Sequence, residues 1–427
     1  MKIFVKTLSL SALLSVTTLI TAFADDPPGN TYTNDNYKTH TVTTSVTYKD
    51  PPGSSYILAV ESAKLYSSIP ITADDGATPT ESTAYVRGST PEVSATFKVT
   101  TLGPISPSSV KVKASGPDGI AVPETTISAF AGGADLLKTE CTGTLPILIK
   151  YYDATGNEAA PFQLDWQMSL NNGTTWTSVG STKHTVYVTL NERRPSALPY
   201  ETLYYIACKY ADGQTTKEGT TSSIQGHFAG LEVKTVGGTI LTYYATYNTP
   251  FNSTAALLTQ GTSRCQGWGE FFLDVCKIHG IHAGLLYVVW SIYAEGLIIK
   301  DWTFHGPGTS GITSYPHINQ LNGTNMLLTT SYNWGSTVEV TFNPGSCIPA
   351  QGNPTPPALF ANHVVVLMLE TMKLYDPSYG QMYKDEAEME GTVIDGYWIE
   401  VLTPHFLAFR RKETTCSIKA GLLSPYE

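Results

Sequence analysis

Apolar and polar positions alternate along the first half of the chain and follow a helical spacing in parts of the second half. Between about residues 55 and 190, short runs such as Ala95–Val99 and Leu164–Ser169 alternate with a period of two. Turn sequences rich in Gly, Asn and Pro, for example Asn171–Thr174, separate these runs. A period of two predicts half-buried strands, and frequent turns between short strands favour a sandwich. We therefore predict that residues 55–195 form an all-β, antiparallel sandwich with an immunoglobulin-like architecture.

A polar segment with two prolines, Arg193–Pro199, separates this pattern from a mixed one and is the predicted domain boundary. Beyond it, helices are predicted at 201–210, 252–258 and 265–279, and strands at 241–245, 284–290, 337–342, 363–369, 373–376 and 402–410. The third helix carries an apolar stripe with spacings of three and four residues: Trp268, Phe271, Phe272, Val275 and Ile278. Helices followed by antiparallel strands predict an α+β domain over residues 196–427.

The N-terminus has the features of a secretory signal peptide. Lys2 and Lys6 precede an apolar run at 8–20, and Ala22-Phe-Ala24 forms a small-residue cleavage site. Residues 1–24 are therefore predicted to be removed after Ala24, and the mature chain to be exported to a periplasmic, cell-surface or extracellular location. Residues 25–54 are polar and rich in turn residues, and they predict a linker or an edge segment. No stretch of about 20 apolar residues predicts a membrane span in the mature chain.

Composition and charge narrow the classes of partner. The formal net charge is −10 and charged residues make up only 15% of the chain, without Lys or Arg clusters, which argues against a nucleic acid partner. The six cysteines include no CxxC pair, and His279 and His282 lack a nearby carboxylate in the register of known zinc sites. We therefore predict neither a metal nor a cofactor, and we interpret Cys276 as a small buried apolar residue.

Cys265 is the candidate nucleophile because it opens the apolar helix at 265–279. The positive end of a helix dipole and a nearby imidazolium can lower a thiol pKa from about 8.5 to roughly 3.5–7.5. Gly267 and Gly269, in the first turn, each weaken the helix by about 1 kcal/mol relative to Ala. Close approach of a substrate backbone or of a facing sheet is a reason to keep glycine there.

His363 and Asp376 are the candidate base and its carboxylate partner. His363 begins an apolar strand, and Asp376 ends the next one. If the chain turns at 369–370, position 363 faces position 376 across the hairpin, with Cβ atoms about 4.5–5.5 Å apart. Asp376 then accepts a hydrogen bond from the imidazole and fixes its tautomer. The three residues therefore predict a cysteine-nucleophile triad.

Three segments carry a resemblance to a known family. The Cys265 helix that ends in KIHGI at 277–281, the sequence NHVVV at 362–366 and the sequence LYDPSYG at 374–380 resemble the transglutaminase-like superfamily. That resemblance implies a papain-like α+β fold and acyl transfer from a protein or peptide amide through a cysteine thioester, ending on an amine or on water. Two alternatives stay open: a cysteine peptidase with the same triad, and a catalytically inactive binding or structural protein.

Further site residues follow from the same resemblance. An oxyanion hole would use the backbone N–H of Cys265 and, by analogy with papain-like enzymes, the side chain of Gln260. Capping of the local loop is an equally good role for that amide. Trp268, Trp302 and Tyr379 are candidates to line the substrate cleft, with core packing as the alternative.

Overall fold

A computed structural model describes residues 41–42, 46–48, 56–67, 71–101, 110–130, 132–244, 252–291, 296–299, 302–307, 327–329, 338–342, 348–357, 359–402, 405–411 and 418–423. All of them belong to one compact unit, Asp35–Glu427. The predicted signal peptide lies outside the described residues, as does most of the predicted linker.

The N-terminal region is built from strands, with a short 3₁₀ turn at Pro117–Gly119. The strands are β1 (Thr41–Val42), β2 (Val46–Tyr48), β3 (Tyr56–Tyr66), β4 (Thr83–Val86), β5 (Glu92–Thr101), β6 (Lys111–Ser115), β7 (Ala121–Thr126), β8 (Ser128–Phe130), β9 (Gly132–Glu140), β10 (Lys150–Tyr152), β11 (Phe162–Ser169), β12 (Thr177–His184) and β13 (Val186–Thr189). The two short strands β1 and β2 fall within the predicted linker and lie at the edges of two sheets.

These strands form two five-stranded sheets and one three-stranded sheet. The five-stranded sheets have the orders β1-β12-β11-β6-β7 and β2-β3-β5-β9-β8, and the third has the order β10-β13-β4. Side chains of both large sheets share one hydrophobic core, in which the rings of Phe97 and Trp166 meet edge to face at 5.4 Å between centroids. Every pair within the two five-stranded sheets is antiparallel, as predicted for the sandwich. One pair of the third sheet, β4 with β13, is parallel, and the antiparallel prediction is wrong there. Alternation does not report strand direction, and a parallel pair needs a long crossover that is invisible locally.

The three-stranded sheet separates two hydrophobic cores. Along β13, Val186 and Val188 belong to the sandwich core, whereas Tyr187 belongs to a second core that continues into the C-terminal region. Ala84 and Tyr151, on the two neighbouring strands, join Tyr187 in that second core. Because successive side chains point to opposite faces of a strand, one short sheet serves both cores.

The C-terminal region combines helices and sheets. Its helices are α1 (Glu201–Tyr210), α2 (Lys217–Ala229), α3 (Thr254–Gln260), α4 (Cys265–Lys277) and α5 (Glu386–Val393). Its strands are β14 (Thr242–Tyr243), β15 (Thr262–Ser263), β16 (Gly284–Ser291), β17 (Gly296–Ile299), β18 (Trp302–Pro307), β19 (Leu327–Thr329), β20 (Val338–Phe342), β21 (Leu359–Phe360), β22 (His363–Met368), β23 (Leu374–Asp376), β24 (Gln381–Tyr383), β25 (Ile394–Leu402), β26 (His405–Arg411) and β27 (Ile418–Leu422). A β-rich N-terminal region followed by an α+β region is the predicted order of fold types.

The three predicted helices are present, and α2 and α5 are additional ones. Sequence periodicity misses α2 because its segment, KEGTTSSIQGHFA, is polar, with Ile224 and Phe228 as its buried apolar side chains. Its N-cap was a usable signal, since the Thr216 side chain accepts from Gly219 N–H at 3.1 Å. No helix among the described residues is both long enough and apolar enough to cross a membrane.

Candidate active site

The sheet that carries the candidate site has the order β24-β23-β22-β16-β27 and is antiparallel throughout. His363 is the first residue of the central strand, β22, and lies opposite Val289 of β16. Every residue of β22 is buried. Because both neighbouring strands hold this strand, its first side chain has a defined position.

The hairpin between β22 and β23 differs from the predicted one. Val366 lies opposite Tyr375, so Asp376 is level with position 365 and the turn occupies residues 369–372. The predicted hairpin, with a turn at 369–370 and His363 directly opposite Asp376, is therefore wrong. The observed strand register differs from it by two residues. Since side chains alternate with a period of two, a shift of two keeps both on the same face. The pair are diagonal neighbours, a separation that an imidazole and a carboxylate can bridge.

Helix α4 begins at Cys265, as predicted. Arg264 is its N-cap residue, and an arginine side chain has no acceptor with which to cap the first N–H groups. Of the other four helices, α2, α3 and α5 have capping side chains from Thr216, Ser253 and Asp385, whereas α1, like α4, has none at its N-cap residue. The partial positive charge of the α4 N-terminus is therefore available at the thiol.

The two glycines of the first turn have a packing reason. A Cβ atom at Gly269 would lie 2.6 Å from Leu286 Cδ2 on β16, with Val364 of β22 also in contact. A Cβ atom at Gly267 would clash with the Ser263 side chain on β15 and would lie 3.1 Å from the backbone nitrogen of Ser253, the N-cap residue of α3. The facing sheet, one of the two predicted reasons, accounts for Gly269.

His363 and Asp376 form a buried pair. His363 Nε2 donates to Asp376 Oδ2 at 2.7 Å, and each side chain is 1% exposed. The remaining ring nitrogen, Nδ1, has no partner of full geometry, that is, one that satisfies both the distance and the angle of a normal hydrogen bond, within the described part of the chain. Cys265 is nevertheless close enough to interact with the imidazole by charge and by a weak hydrogen bond. The three predicted residues are thus brought together, with the carboxylate on Nε2 and the thiol on the Nδ1 side.

The environment of His363 favours the imidazolium. Burial by itself lowers the pKa of this imidazole, but the Asp376 carboxylate and the Cys265 sulfur outweigh it and raise the pKa from 6.5 to about 10. An imidazolium beside a thiol stabilises the thiolate, which is the nucleophilic form. A strongly shifted histidine with a named charge partner is also typical of catalytic sites.

Three aromatic rings surround the imidazole. The ring centroids of Tyr243, Phe360 and Tyr379 lie 6.3, 5.7 and 5.7 Å from that of His363. Tyr243 and Tyr379 also contact each other at 5.4 Å between centroids. These rings exclude water from the His363–Asp376 pair, which strengthens the attraction between the two charges.

The turn after β23 fixes the carboxylate. Asp376 Oδ1 accepts from the backbone N–H of Ser378 at 3.0 Å and of Tyr379 at 3.4 Å. Gly380 closes the turn with φ +61, and a Cβ atom there would lie 2.7 Å from Phe228 O of helix α2. The turn is thus packed directly against the end of α2, and glycine is required by both backbone angle and space.

Gln351 is a site residue that sequence reasoning missed. It is fully buried, and its Nε2 donates to Phe228 O at 2.7 Å and to Pro377 O at 2.9 Å. Its backbone N–H donates to Ser378 O at 2.9 Å, and its carbonyl accepts from Tyr243 N–H at 2.7 Å. One residue therefore joins helix α2, the Asp376 turn and strand β14. A lone glutamine in the loop sequence AQGNP offers no periodic signal for this role.

Of the other four predicted site residues, only Tyr379 is described in contact with His363. Gln260 is exposed at the C-terminal end of α3, whereas Cys265 is 7% exposed. Trp268 is fully buried and packs edge to face against Phe228 and Phe271, so the core alternative is favoured over the cleft. Trp302 lies on β18, which pairs with β20 outside the sheet of the triad. Tyr379 contacts the His363 imidazole, with 5.7 Å between the ring centroids.

Two other residues considered in the sequence, His279 just after α4 and Cys276 within it, are buried in the core. His279 is fully buried, with Nδ1 accepting from Leu190 N–H at 3.2 Å and Nε2 donating to Ala207 O at 3.0 Å. Burial lowers its pKa to about 4, so the ring is neutral. Cys276 is buried, as predicted. Within the described ranges, no group of three or more His, Cys, Asp or Glu side chains could hold a metal ion.

Comparisons with known proteins give no further guide to the site. No family model matches the chain, and neither a curated protein nor a solved structure matches it.

Proposed function

We propose that this chain is a transglutaminase-like cysteine acyltransferase or amidase that acts on amides of proteins or peptides. The observation that carries the proposal is the buried His363–Asp376 pair, with its second ring nitrogen beside Cys265 at the uncapped start of α4. These are the parts that nucleophilic acyl transfer needs: a thiol, a base next to it, and a third group that orients the base.

The proposed reaction has two halves. The Cys265 thiolate attacks the carbonyl carbon, the S–C bond forms, and the carbonyl electron pair moves onto oxygen. When the C–N bond breaks, the His363 imidazolium gives its Nδ1 proton to the leaving amine, and a thioester remains. An incoming amine or water then loses a proton to His363 and displaces the thiolate. Asp376 keeps the proton of Nε2 in place throughout and stabilises the imidazolium.

The remaining parts of the proposal concern architecture and location. We propose a papain-like, transglutaminase-like arrangement for the α+β region and an immunoglobulin-like arrangement for the sandwich. The order of triad residues along the chain, Cys265, His363 and Asp376, supports the first. Two packed five-stranded sheets support the second. The Lys2-to-Ala24 sequence supports export.

The test compares two cysteines of the same helix. Wild-type protein, Cys265→Ala and Cys276→Ala are treated with iodoacetamide and with p-nitrophenyl acetate, an activated ester that acylates reactive thiols. We expect rapid alkylation and a burst of p-nitrophenol from the wild type and from Cys276→Ala, and neither from Cys265→Ala. Glutamine-containing peptides, with and without an added primary amine, then identify the acyl acceptor by mass spectrometry.

The outcomes separate the alternatives. An amide product that contains the amine identifies an acyltransferase, whereas deamidated or cleaved peptide in both samples identifies a hydrolase. If wild-type Cys265 reacts with iodoacetamide no faster than free cysteine does, the proposal fails and a binding or structural role is favoured.

A further inference from the structure

Two tyrosine hydroxyls beside the His363–Asp376 pair are buried in the protein. Tyr243 is fully buried and Tyr379 is 3% exposed. Neither hydroxyl oxygen has a hydrogen-bond partner of full geometry among the described residues. An unpaired buried hydroxyl costs about 1–3 kcal/mol, so each such group in a folded protein needs an explanation.

The chain holds Tyr243 firmly next to the nucleophile. Strand β14 pairs in parallel with β15, which places Tyr243 opposite Ser263, two residues before Cys265. Its backbone N–H donates to Gln351 O at 2.7 Å, and its carbonyl accepts from Asn353 Nδ2 at 2.9 Å. The ring contacts those of His363 and Tyr379, at 6.3 and 5.4 Å between centroids. Because the ring is already held in place, its hydroxyl needs no reorganisation when the reaction occurs.

The hydroxyl of Tyr243 is a permanent proton donor. Burial raises its pKa well above 10, and the nearby ionisable groups of Tyr379 and Cys265 add to this effect. Burial likewise raises the pKa of Tyr379, and the charge of Asp376 and the nearby Tyr383 and Cys265 add to it, against a weak hydrogen bond from Tyr243. Both hydroxyls therefore lie close enough to the sulfur to interact with its charge. The oxyanion forms on the carbonyl oxygen, which is bonded to the carbon that the sulfur attacks.

We propose that the Tyr243 hydroxyl, with Tyr379 beside it, donates a hydrogen bond to the oxyanion that forms when Cys265 attacks a carbonyl. The second donor is the backbone N–H of Cys265, one of the four helix N–H groups that have no partner within the helix. The hydroxyl keeps its proton throughout, and the leaving amine takes its proton from His363. This inference rests on the proposed acyl transfer and assigns to Tyr243 the role that the sequence suggested for Gln260.

The test compares two reactions of the same thiol. Acylation by p-nitrophenyl acetate passes through an oxyanion, whereas alkylation by iodoacetamide does not. In Tyr243→Phe, which removes only the hydroxyl oxygen, we expect the acylation rate constant to fall by about 100- to 1000-fold. The alkylation rate constant should stay within about threefold of the wild-type value. Tyr379→Phe should show a smaller loss of acylation, again without loss of alkylation.

Tyr383→Phe is the matched control. Tyr383 is 2% exposed, its hydroxyl also has no partner of full geometry in the described chain, and it lies on β24. Cys265 is not among the charges that raise its pKa, which are those of Asp376 and Glu388 after burial. We expect Tyr383→Phe to acylate at the wild-type rate.

Two results overturn the inference. One is acylation at the wild-type rate in Tyr243→Phe. The other is an equal loss of acylation and alkylation, which would make Tyr243 a residue that positions the thiol or His363. A wild-type protein without an acylation burst would instead contradict the proposed function. Thermal unfolding of each variant verifies that the compared proteins are folded.

Discussion

The two regions of the molecule each bury a histidine, and they treat it in opposite ways. His184 of the sandwich is 2% exposed, and burial lowers its pKa to about 3. His363 of the α+β region is 1% exposed, and its pKa is raised to about 10. His184 has the Thr182 hydroxyl at 3.0 Å as its polar neighbour, whereas His363 has the Asp376 carboxylate at 2.7 Å. With equal burial, the partner decides whether a histidine is charged.

The comparison extends to the polar atoms around each histidine. In the sandwich core, Trp166 Nε1 donates to Thr182 Oγ1 at 3.0 Å, so the largest buried ring has its polar atom satisfied. Around His363, the hydroxyls of Tyr243, Ser378 and Tyr379 are buried without partners of full geometry in the described residues. The Nδ1 atom of His184 is also buried without a partner in the described residues, so the regions differ in the number of unpaired hydroxyls grouped around one histidine.

The strongest test compares a substitution that should remove activity in the α+β region with one that should lower stability in the sandwich. Cys265→Ala should abolish acyl transfer and change the free energy of unfolding by less than about 1 kcal/mol, because the side chain is small and lies at a helix end. Trp166→Ala should cost about 3–5 kcal/mol of stability, as expected for a large core side chain. Turnover by Cys265→Ala would contradict the triad, and a thermally neutral Trp166→Ala would contradict the sandwich core. Urea denaturation and the ester assay measure both variants.

Asp376→Asn removes the charge that distinguishes His363 from His184. By analogy with the loss of about 10⁴ when a triad carboxylate becomes an amide, we expect a fall of several orders of magnitude in the acylation rate. The amide cannot attract the imidazolium, so the pKa of His363 should fall below 6.5, toward the behaviour of His184. Stopped-flow acylation and NMR titration of the imidazole protons measure the two effects. A variant with full activity would show that the carboxylate is only structural.

Gln351→Met keeps the side-chain volume but removes both donated hydrogen bonds. The Asp376 turn then loses its connection to Phe228 O, and we expect the acylation rate to fall by roughly tenfold, or about 1.4 kcal/mol. The control is Gln163→Met, since Gln163 lies on β11 of the sandwich and donates to Asp165 at 2.7 Å. A purely structural role would lower the unfolding temperature without moving the pKa of His363, so NMR titration decides between the roles.

The two histidines should also give opposite dependences of stability on pH. The folded pKa of His363 is above its unfolded value of 6.5, so its contribution is complete below pH 6.5 and is lost as pH rises through about 10. The folded pKa of His184 is below 6.5, so its contribution is present above pH 6.5 and is lost as pH falls toward 3. Comparing the free energy of unfolding of His363→Gln and His184→Gln with that of the wild type across pH should locate these two pH ranges. A His363 ring that titrates near 6.5 would contradict the buried ion pair.

Much of the site was predictable because its signals are local. The apolar stripe of α4 indicated a helix with Cys265 at its start, and the apolar run after His363 indicated a buried strand. Gly267 and Gly269 indicated a close approach, which the structure places against Ser263 and the facing sheet. Periodicity failed at α2, where the buried face is mostly small and polar.

The sequence by itself determined which residues could do chemistry and on which elements they lie, because helix starts and strand patterns depend on neighbours within a few positions. Only the tertiary structure decided the hairpin register, the parallel pairing of β4 with β13, and the position of Gln351 between α2 and the Asp376 turn. It also decided the charge of His363, since an imidazole pKa depends on the atoms within a few ångströms. Those atoms come from segments more than 100 residues apart, from Tyr243 to Tyr379, and no local pattern encodes their meeting.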